Sequence, residues 1–190
     1  PYQPGSTVKP IVFACAATDG KVGLDEPIIC RGHLDPESAT RYRCWIFKHY
    51  MTAHGPLAVA EAIARSCNIF FYTLGRRMGP ERLARWYEKF GLGHRRSNAF
   101  AEERPGDLPD LDRADVPNAP GFTPADGIFM AIGQGPVRWT PLQAAAAYAT
   151  LARGGVYLEP TFLAAGPTDQ PEHPVDLNLD GAAINKAMQG

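Results

Sequence analysis

Tyr2-Gln3-Pro4-Gly5-Ser6-Thr7-Val8-Lys9-Pro10 is the most informative stretch of this sequence. We predict a helix that begins at Gly5-Ser6 and runs to about residue 17, with Pro10 near its first turn, where proline is tolerated. Because residues three apart are neighbours on a helix, the Lys9 amine can reach the Ser6 hydroxyl. Serine is a poor nucleophile until a base takes its proton, and a lysine that burial keeps partly neutral can be that base. The pair is common in ordinary helix caps, so its context matters more than the pair itself.

Helical spacing continues through much of the remaining chain. Apolar periodicity and capping residues predict helices over 57–65, 69–78, 80–90 and 140–152. The last of these has the clearest start, because Thr140 is a good N-cap, Pro141 fits the first helical position and Gln143 completes a capping box. Short strands are predicted over 27–30 and 42–47, and a long proline-rich, acidic loop over 91–127.

Composition narrows the class of protein. The 190 residues suit one domain, and 45% of them are hydrophobic, which is enough for a core. Nineteen basic and 20 acidic residues give a formal net charge of −1, which argues against nucleic acid as a partner. No apolar run reaches the ~18 residues that a membrane span needs. The chain opens without an initiator methionine or a signal peptide, so we expect a piece of a longer protein.

Further motifs follow the serine–lysine pair. Ser66-Cys67-Asn68 lies 60 residues after Ser6, and Ala131-Ile132-Gly133-Gln134-Gly135 precedes the Thr140 helix. Other matching stretches are His54-Gly55, Ile69-Phe70-Phe71-Tyr72, Phe90-Gly91-Leu92-Gly93 and Ala149-Thr150-Leu151-Ala152-Arg153-Gly154-Gly155. With these residues the sequence resembles, from residue 1 to about 160, the transpeptidase domain of class B penicillin-binding proteins, and in particular the elongation type, like penicillin-binding protein 2.

This resemblance implies a reaction and a role for each motif residue. Ser6 would attack the penultimate D-Ala carbonyl of a peptidoglycan stem peptide, and an amine of a neighbouring stem peptide would resolve the acyl-enzyme into a cross-link. Lys9 would be the base, Ser66 would relay protons, and the Asn68 amide would hold the substrate. β-Lactams would trap the same serine. No cofactor is implied, and the expected partners are stem peptides, β-lactams and cell-wall elongation proteins, including a glycosyltransferase.

The resemblance also implies a fold, an α+β architecture of the penicillin-binding serine-transpeptidase type. The family's third motif, Lys-Thr-Gly or Lys-Ser-Gly on a core strand, occurs nowhere in the 190 residues. We therefore expect residues 1–190 to be a partial transpeptidase domain, mainly its helical part with an incomplete antiparallel sheet and an exposed apolar face. The parent protein would be an enzyme outside the cytoplasm, anchored by an N-terminal transmembrane helix. This piece alone would not be fully competent.

Cys30, His33, Cys44 and His54 form a second constellation. The resemblance around Cys30-Arg31-Gly32 and Cys44-Trp45 marks a recurring insertion, and a Cys30–Cys44 disulfide suits an extracytoplasmic protein. There are two alternatives to the disulfide: a metal site with cysteine and histidine ligands, or free thiols. The spacing of these residues fits no standard zinc finger, and we expect no metal. His54 is expected to structure a turn.

The two remaining cysteines have simpler interpretations. Cys15 lies in an apolar stretch and is expected to be a small buried side chain, and Cys67 is expected to pack beneath the site.

Two other patterns are weaker signals. Asp107, Asp110, Asp112 and Asp115 superficially suggest a cation site, but a solvated loop explains them better. Gly133-Gln134-Gly135 lacks the Lys-Ser/Thr that a phosphate-binding loop requires, so nucleotide binding is not expected.

Three rival functions use the same fold. A serine β-lactamase needs a glutamate to activate water, and the sequence places none for that role. A β-lactam sensor would need a membrane-receptor context, and a structural family member is at odds with an intact set of Ser6, Lys9, Ser66 and Asn68.

Overall fold

The computed structural model describes residues 1–38, 40–95, 103–108, 121–161 and 174–190. In this part of the chain the helices are α1 (Lys9–Thr18), α2 (Trp45–Tyr50), α3 (Val59–Ala64), α4 (Asn68–Met78), α5 (Pro80–Lys89), α6 (Pro124–Met130), α7 (Pro141–Ala152) and α8 (Gly181–Ala187). Short 3-10 helices cover Gly5–Val8 and Pro36–Ser38. None of the helices in the described ranges is long and apolar enough to cross a membrane.

Helix α1 is the centre of the molecule. Every residue from Lys9 to Ala16 is buried, because α3, α4, α7 and α8 pack around it. The Phe13 ring lies 6.5 Å from the Phe70 ring of α4, and Cys15 is buried as expected. A helix buried all round has no polar stripe, so its sequence reads as a continuous apolar run rather than as an amphipathic pattern.

The strands form two small antiparallel pairs. β1 (Ile28–Cys30) pairs with β2 (Gly55–Leu57), so that Cys30 is opposite Gly55. β3 (Val156–Tyr157) pairs with β4 (Val175–Asp176). This arrangement of many helices with small antiparallel sheets confirms the predicted α+β class. The large apolar side chains exposed in the described ranges are those of Tyr2, Ile29, Trp45, Tyr50, Met51, Val175 and Met188. The expected apolar face stays a prediction.

Most predicted helices are confirmed, and α7 has the capping box that its sequence indicates. The Thr140 hydroxyl accepts from the Gln143 backbone N–H at 3.2 Å, and Gln143 Oε1 accepts from the Thr140 N–H at 2.9 Å. Helix α5 begins with Pro80 in its first turn. The predicted 57–65 helix is shorter than expected, because Leu57 belongs to β2 and α3 covers only Val59–Ala64.

The strand predicted over 42–47 is wrong. Only Arg43 makes a bridge, to His33, and Trp45 begins α2. Trp45 Nε1 donates to the Arg65 carbonyl at 3.0 Å, and this long-range contact fixes the start of the helix against the β preference of its aromatic residues.

The loop predicted over 91–127 ends earlier than expected. Helix α6 begins at Pro124, and Thr123 and Asp126 form its capping box. Asp107 forms an ion pair with Arg138 at 2.8 Å. Asp110, Asp112 and Asp115 lie outside the described residues.

Candidate active site

Ser6 lies in the 3-10 turn that leads into α1. The preceding Gly5 has φ +58°, a conformation that glycine adopts without the penalty of a Cβ. The turn leaves Ser6 exposed, whereas Lys9, one turn later, is 1% exposed. The local sequence therefore presents the hydroxyl to solvent and keeps the amine inside.

A chain of hydrogen bonds joins Ser6, Ser66 and Lys9. Ser66 Oγ donates to Ser6 Oγ at 3.0 Å, and Lys9 Nζ donates to Ser66 Oγ at 2.9 Å. Lys9 Nζ also donates to Asn68 Oδ1 at 3.0 Å and to the Ser66 carbonyl at 2.9 Å. The four predicted site residues thus converge. The contact expected directly between Lys9 and Ser6 is instead made through the Ser66 hydroxyl.

Burial alters the chemistry of the Lys9 amine. The loss of solvation lowers the Lys9 pKa from 10.5 to about 8, against the opposing charges of Cys67 and Cys44. The Phe71 ring lies 5.3 Å from Nζ. A lysine with this pKa is neutral in an appreciable fraction of molecules near neutral pH, so it can accept a proton.

Ser66 occupies a strained backbone position between α3 and α4. Its φ is +49°, a left-handed conformation that is uncommon outside glycine. The Ser66 N–H donates to the Ile63 carbonyl at 2.8 Å, which closes the end of α3, and Asn68 begins α4. The tight turn between the two helices is what directs both side chains toward Lys9.

A second cluster lies directly behind this turn. The ligand atoms of Cys30, Cys44, His54 and Cys67 all lie within 4.8 Å of one another, and the three cysteines are buried. Cys44 Sγ is 3.6 Å from His54 Nδ1. Hydrogen bonds from the Cys30 and Cys67 thiols lower the Cys44 pKa, which favours a thiolate there. Three cysteines and one histidine are a donor set that tetrahedral zinc accepts.

The cluster differs from the pattern expected from sequence. All four cysteines are free thiols in the structure, so the expected Cys30–Cys44 disulfide is absent. Cys67 belongs to the cluster although only packing was expected of it. His33 lies outside it, with its ring against Phe47.

Residues outside the expected set contact the turn that contains Ser6. The Gly133 carbonyl accepts from the Gly5 N–H at 2.9 Å, and Tyr148 Oη donates to the Thr7 carbonyl at 2.8 Å. The Ala131–Gly135 motif predicted that this segment lines a cleft, but it did not predict the contact between Gly133 and Gly5. Nothing in the local sequence around Tyr148 indicates the second.

The protein-family comparison accounts for almost the whole chain. Residues 1–189 match the family described as the penicillin binding protein transpeptidase domain. The chain belongs to this family. The expected resemblance is therefore confirmed, together with the fold class.

Relatives of this penicillin-binding protein domain include curated transpeptidases of several bacteria. The peptidoglycan D,D-transpeptidase MrdA of Escherichia coli K12 is 33% identical over 91% of this chain. MrdA of Haemophilus influenzae is 31% identical over 86% of the chain, and stage V sporulation protein D of Bacillus subtilis is 34% identical over 84%. The chain spans about a quarter of the length of these relatives, between 23% and 27%.

Solved penicillin-binding proteins have the same fold. Pseudomonas aeruginosa PBP2 in complex with WCK 5153 superimposes with a TM-score of 0.83 at 28% identity, over 98% of this chain and 42% of that one. Helicobacter pylori PBP2, solved in complex with MreC, superimposes with a TM-score of 0.75 at 26% identity, over 99% of this chain and 33% of that one.

Proposed function

We propose that this chain carries the serine–lysine half of the active site of a peptidoglycan D,D-transpeptidase of the elongation type. The observation that carries the proposal is the Ser6–Ser66–Lys9 hydrogen-bond chain, which ends on a buried amine with a lowered pKa. A nucleophile, a relay and a base in hydrogen-bond contact are the arrangement that acyl transfer by serine requires.

Proton movement along this chain accompanies the acylation step. Ser6 Oγ attacks the carbonyl of the penultimate D-Ala while its proton moves to Ser66 Oγ, and the Ser66 proton moves to neutral Lys9 Nζ. The C–N bond to the terminal D-Ala then breaks, and the leaving amine takes a proton back from Lys9 through Ser66. A second stem-peptide amine attacks the ester in the same way, which restores Ser6 and forms the cross-link.

Asn68 and the Ser6 backbone bind the substrate in this proposal. Because Asn68 Oδ1 accepts from Lys9, the amide NH₂ of Asn68 is the part suited to donate to a substrate carbonyl. The Ser6 N–H, at the start of the helical turn, is one donor to the oxyanion. The family's third motif would supply the other donor, and these 190 residues do not contain it.

Partners and location follow from the same proposal. The substrates would be stem peptides, and β-lactams would acylate Ser6. Because the Helicobacter pylori PBP2 was solved in complex with MreC, an elongation assembly is the expected setting, with a glycosyltransferase as a further partner. The site would face the cell wall outside the cytoplasm, and an N-terminal helix of the complete protein would anchor it.

We also propose that Cys30, Cys44, His54 and Cys67 hold one structural zinc ion. Three thiols in mutual contact leave one unpaired after any single disulfide, whereas a tetrahedral ion engages all three and the histidine. Zinc ligation would also protect the thiols of a protein that works in an oxidising compartment. The ion would hold Cys67, and through it the backbone of Ser66 and Asn68.

The first test is the intact mass of the complete protein after incubation with a penicillin. We expect an adduct of one penicillin that maps to Ser6 and that is lost in Ser6→Ala. Thr52→Ala, at an exposed threonine, is the control and should retain the adduct. A stable adduct with turnover of stem-peptide substrate supports the transpeptidase. Rapid loss of the adduct would point to a β-lactamase, and an adduct without peptide turnover would point to a sensor. No adduct on a folded protein would overturn the proposal.

A further inference from the structure

The backbone on both sides of Ser6 is held by one distant segment of the chain. Immediately before Ser6, the Gly5 N–H donates to the Gly133 carbonyl at 2.9 Å. Immediately after it, the Thr7 carbonyl accepts from Tyr148 Oη at 2.8 Å. The two contacts come from a loop and from α7, which lie more than a hundred residues along the chain from Ser6.

A backbone bridge extends the same contact toward the start of the chain. The Tyr2 N–H donates to the Trp139 carbonyl at 2.8 Å, and the Trp139 N–H donates back to the Tyr2 carbonyl at 2.8 Å. Trp139 is buried, so this end of the turn rests on the core. The stretch from Tyr2 to Thr7 is therefore fixed at three places along 133–148.

The fit at Gly133 leaves no room for a side chain. A Cβ on Gly133 would lie 2.2 Å from the Gly5 carbonyl oxygen and 2.6 Å from the Gly5 nitrogen, and Gly133 has φ +69°. Any larger residue must therefore displace the backbone just before Ser6. The glycine is needed both for its conformation and for this close approach.

The Tyr148 hydroxyl is a dependable donor. Partial burial raises the pKa of Tyr148, so the phenol keeps its proton at every physiological pH. The Thr7 carbonyl lies in the 3-10 turn Gly5–Val8, where hydrogen-bond geometry is poorer than in an α-helix. A donor from α7 orients this peptide group, and with it the exposed Ser6 side chain.

We propose that Gly133 and Tyr148 are positioning residues for the nucleophile: they hold the Pro4–Gly5 and Thr7–Val8 peptide groups, before and after Ser6, so that Ser6 Oγ stays in hydrogen-bond contact with Ser66. The inference rests on the proposed function of Ser6. Because the Ser6 hydroxyl also accepts from Ser66 Oγ, which in turn accepts from Lys9 Nζ, Ser6 is held by two independent parts of the chain. Loss of either contact should slow acylation without weakening the initial encounter with the acylating agent.

The test is the kinetics of acylation of the complete protein by a fluorescent penicillin, resolved into the non-covalent dissociation constant and the acylation rate constant. Tyr148→Phe should lower the rate constant about 3- to 10-fold, which corresponds to the loss of one ordinary hydrogen bond. The dissociation constant should change less than about 2-fold. Gly133→Ala should lower the rate constant about 100-fold, because the serine is displaced.

Matched variants separate the possible outcomes. Tyr50→Phe removes the same hydroxyl from a side chain that is 70% exposed, and it should acylate like the unmodified protein. If Tyr148→Phe acylates at the unmodified rate, or if only its dissociation constant changes, the inference is overturned. If Ser6→Ala still reacts, the proposed function fails instead. Should Gly133→Ala fail to fold, Tyr148→Phe decides the question alone, with thermal unfolding as the check that its fold is intact.

Discussion

Lys9 links the pH dependence of folding to that of the proposed acylation. Its pKa is lowered from 10.5 to about 8 by burial, so between these values the unfolded chain binds more protons than the folded one. Stability from this group therefore rises with pH across that window, and below pH ~8 the buried ammonium costs free energy. The same burial supplies the neutral amine that the proposed reaction needs.

Acylation by a penicillin should accordingly rise with pH and level off above a midpoint near 8, the pKa of Lys9. The measurement is the second-order rate constant between about pH 6 and 10, over which Lys9 changes protonation. Lys9→Met should react at least about 100-fold more slowly. Lys48→Met, on an exposed lysine of α2, is the control and should keep the profile. A flat profile in a folded protein would contradict Lys9 as the base.

Ser66 offers a second test, because two substitutions separate its hydroxyl from its backbone. Ser66→Ala and Ser66→Gly both remove the relay, so both should lose acylation to a similar extent. With φ at +49°, the glycine variant should be about 1 kcal/mol more stable than the alanine variant. Urea unfolding of the two proteins measures the difference. Equal stabilities would show that the surrounding turn, rather than residue 66, sets this conformation.

The start of helix α7 is a junction for several parts of the chain. The buried Gln143 side chain caps its own helix through Oε1, and its Nε2 donates to the Pro105 carbonyl at 2.7 Å and to the Gly91 carbonyl at 3.3 Å. One amide therefore caps the helix start and also donates toward three loop carbonyls, those of Gly91, His94 and Pro105, which only a side chain with both an acceptor and a donor can do.

Gln143→Glu should destabilise the protein by about 2–4 kcal/mol, because a carboxylate of the same shape would face the loop carbonyl oxygens and cannot donate to them. The free energy of unfolding in urea at pH 7.5 measures it. Gln134→Glu, at an exposed glutamine, should change stability by less than about 0.5 kcal/mol. If the destabilisation caused by Gln143→Glu disappears at pH 4, where the carboxyl is protonated, the negative charge is its cause.

Elements whose start is encoded locally were predictable, and the others were not. Thr140-Pro141-Leu142-Gln143 contains its own cap, and Pro80 marks the start of α5, so local chemistry suffices for both. Helix α6 has the same kind of signal in Thr123 and Asp126, which the proline-rich composition around it obscured. Helix α2 depends on a contact between Trp45 and Arg65 that no local pattern contains.

At the scale of the whole molecule, zinc should bind once per chain and stabilise the fold. Removal of metal with a chelator should lower the melting temperature, and stoichiometric Zn²⁺ should restore it. At a free Zn²⁺ concentration a thousand times the dissociation constant, binding would add up to about 4 kcal/mol to the free energy of unfolding. Metal content by mass spectrometry gives the stoichiometry. Cys67→Ala should abolish binding, whereas Cys15→Ala, at an equally buried cysteine of α1, should retain it. A metal-free protein two mass units lighter, with Cys30 joined to Cys44, would instead favour the disulfide.

The assembly of the site shows what a sequence can and cannot predict at this scale. The site residues Ser6, Lys9, Ser66 and Asn68 could be predicted because the family resemblance includes both motifs, although they lie far apart in the sequence. The contact between Lys9 and the Ser66 hydroxyl depends on the burial of Lys9. The spacing of residues along a helix does not predict that burial. Cys67 and Tyr148 reach their partners only when helices from distant parts of the chain pack, so no local pattern indicated either contact.

The burial of α1 on every side also constrains how this protein can change over generations. Each of the eight positions from Lys9 to Ala16 touches the interior, so a methyl group gained there must be offset by one lost from a neighbouring helix. Single substitutions in α1 would therefore be removed by selection for stability. If β-lactams acylate Ser6 as proposed, we expect variants that escape them to arise at exposed positions beside Ser6, such as Thr7, where side chains can vary one at a time.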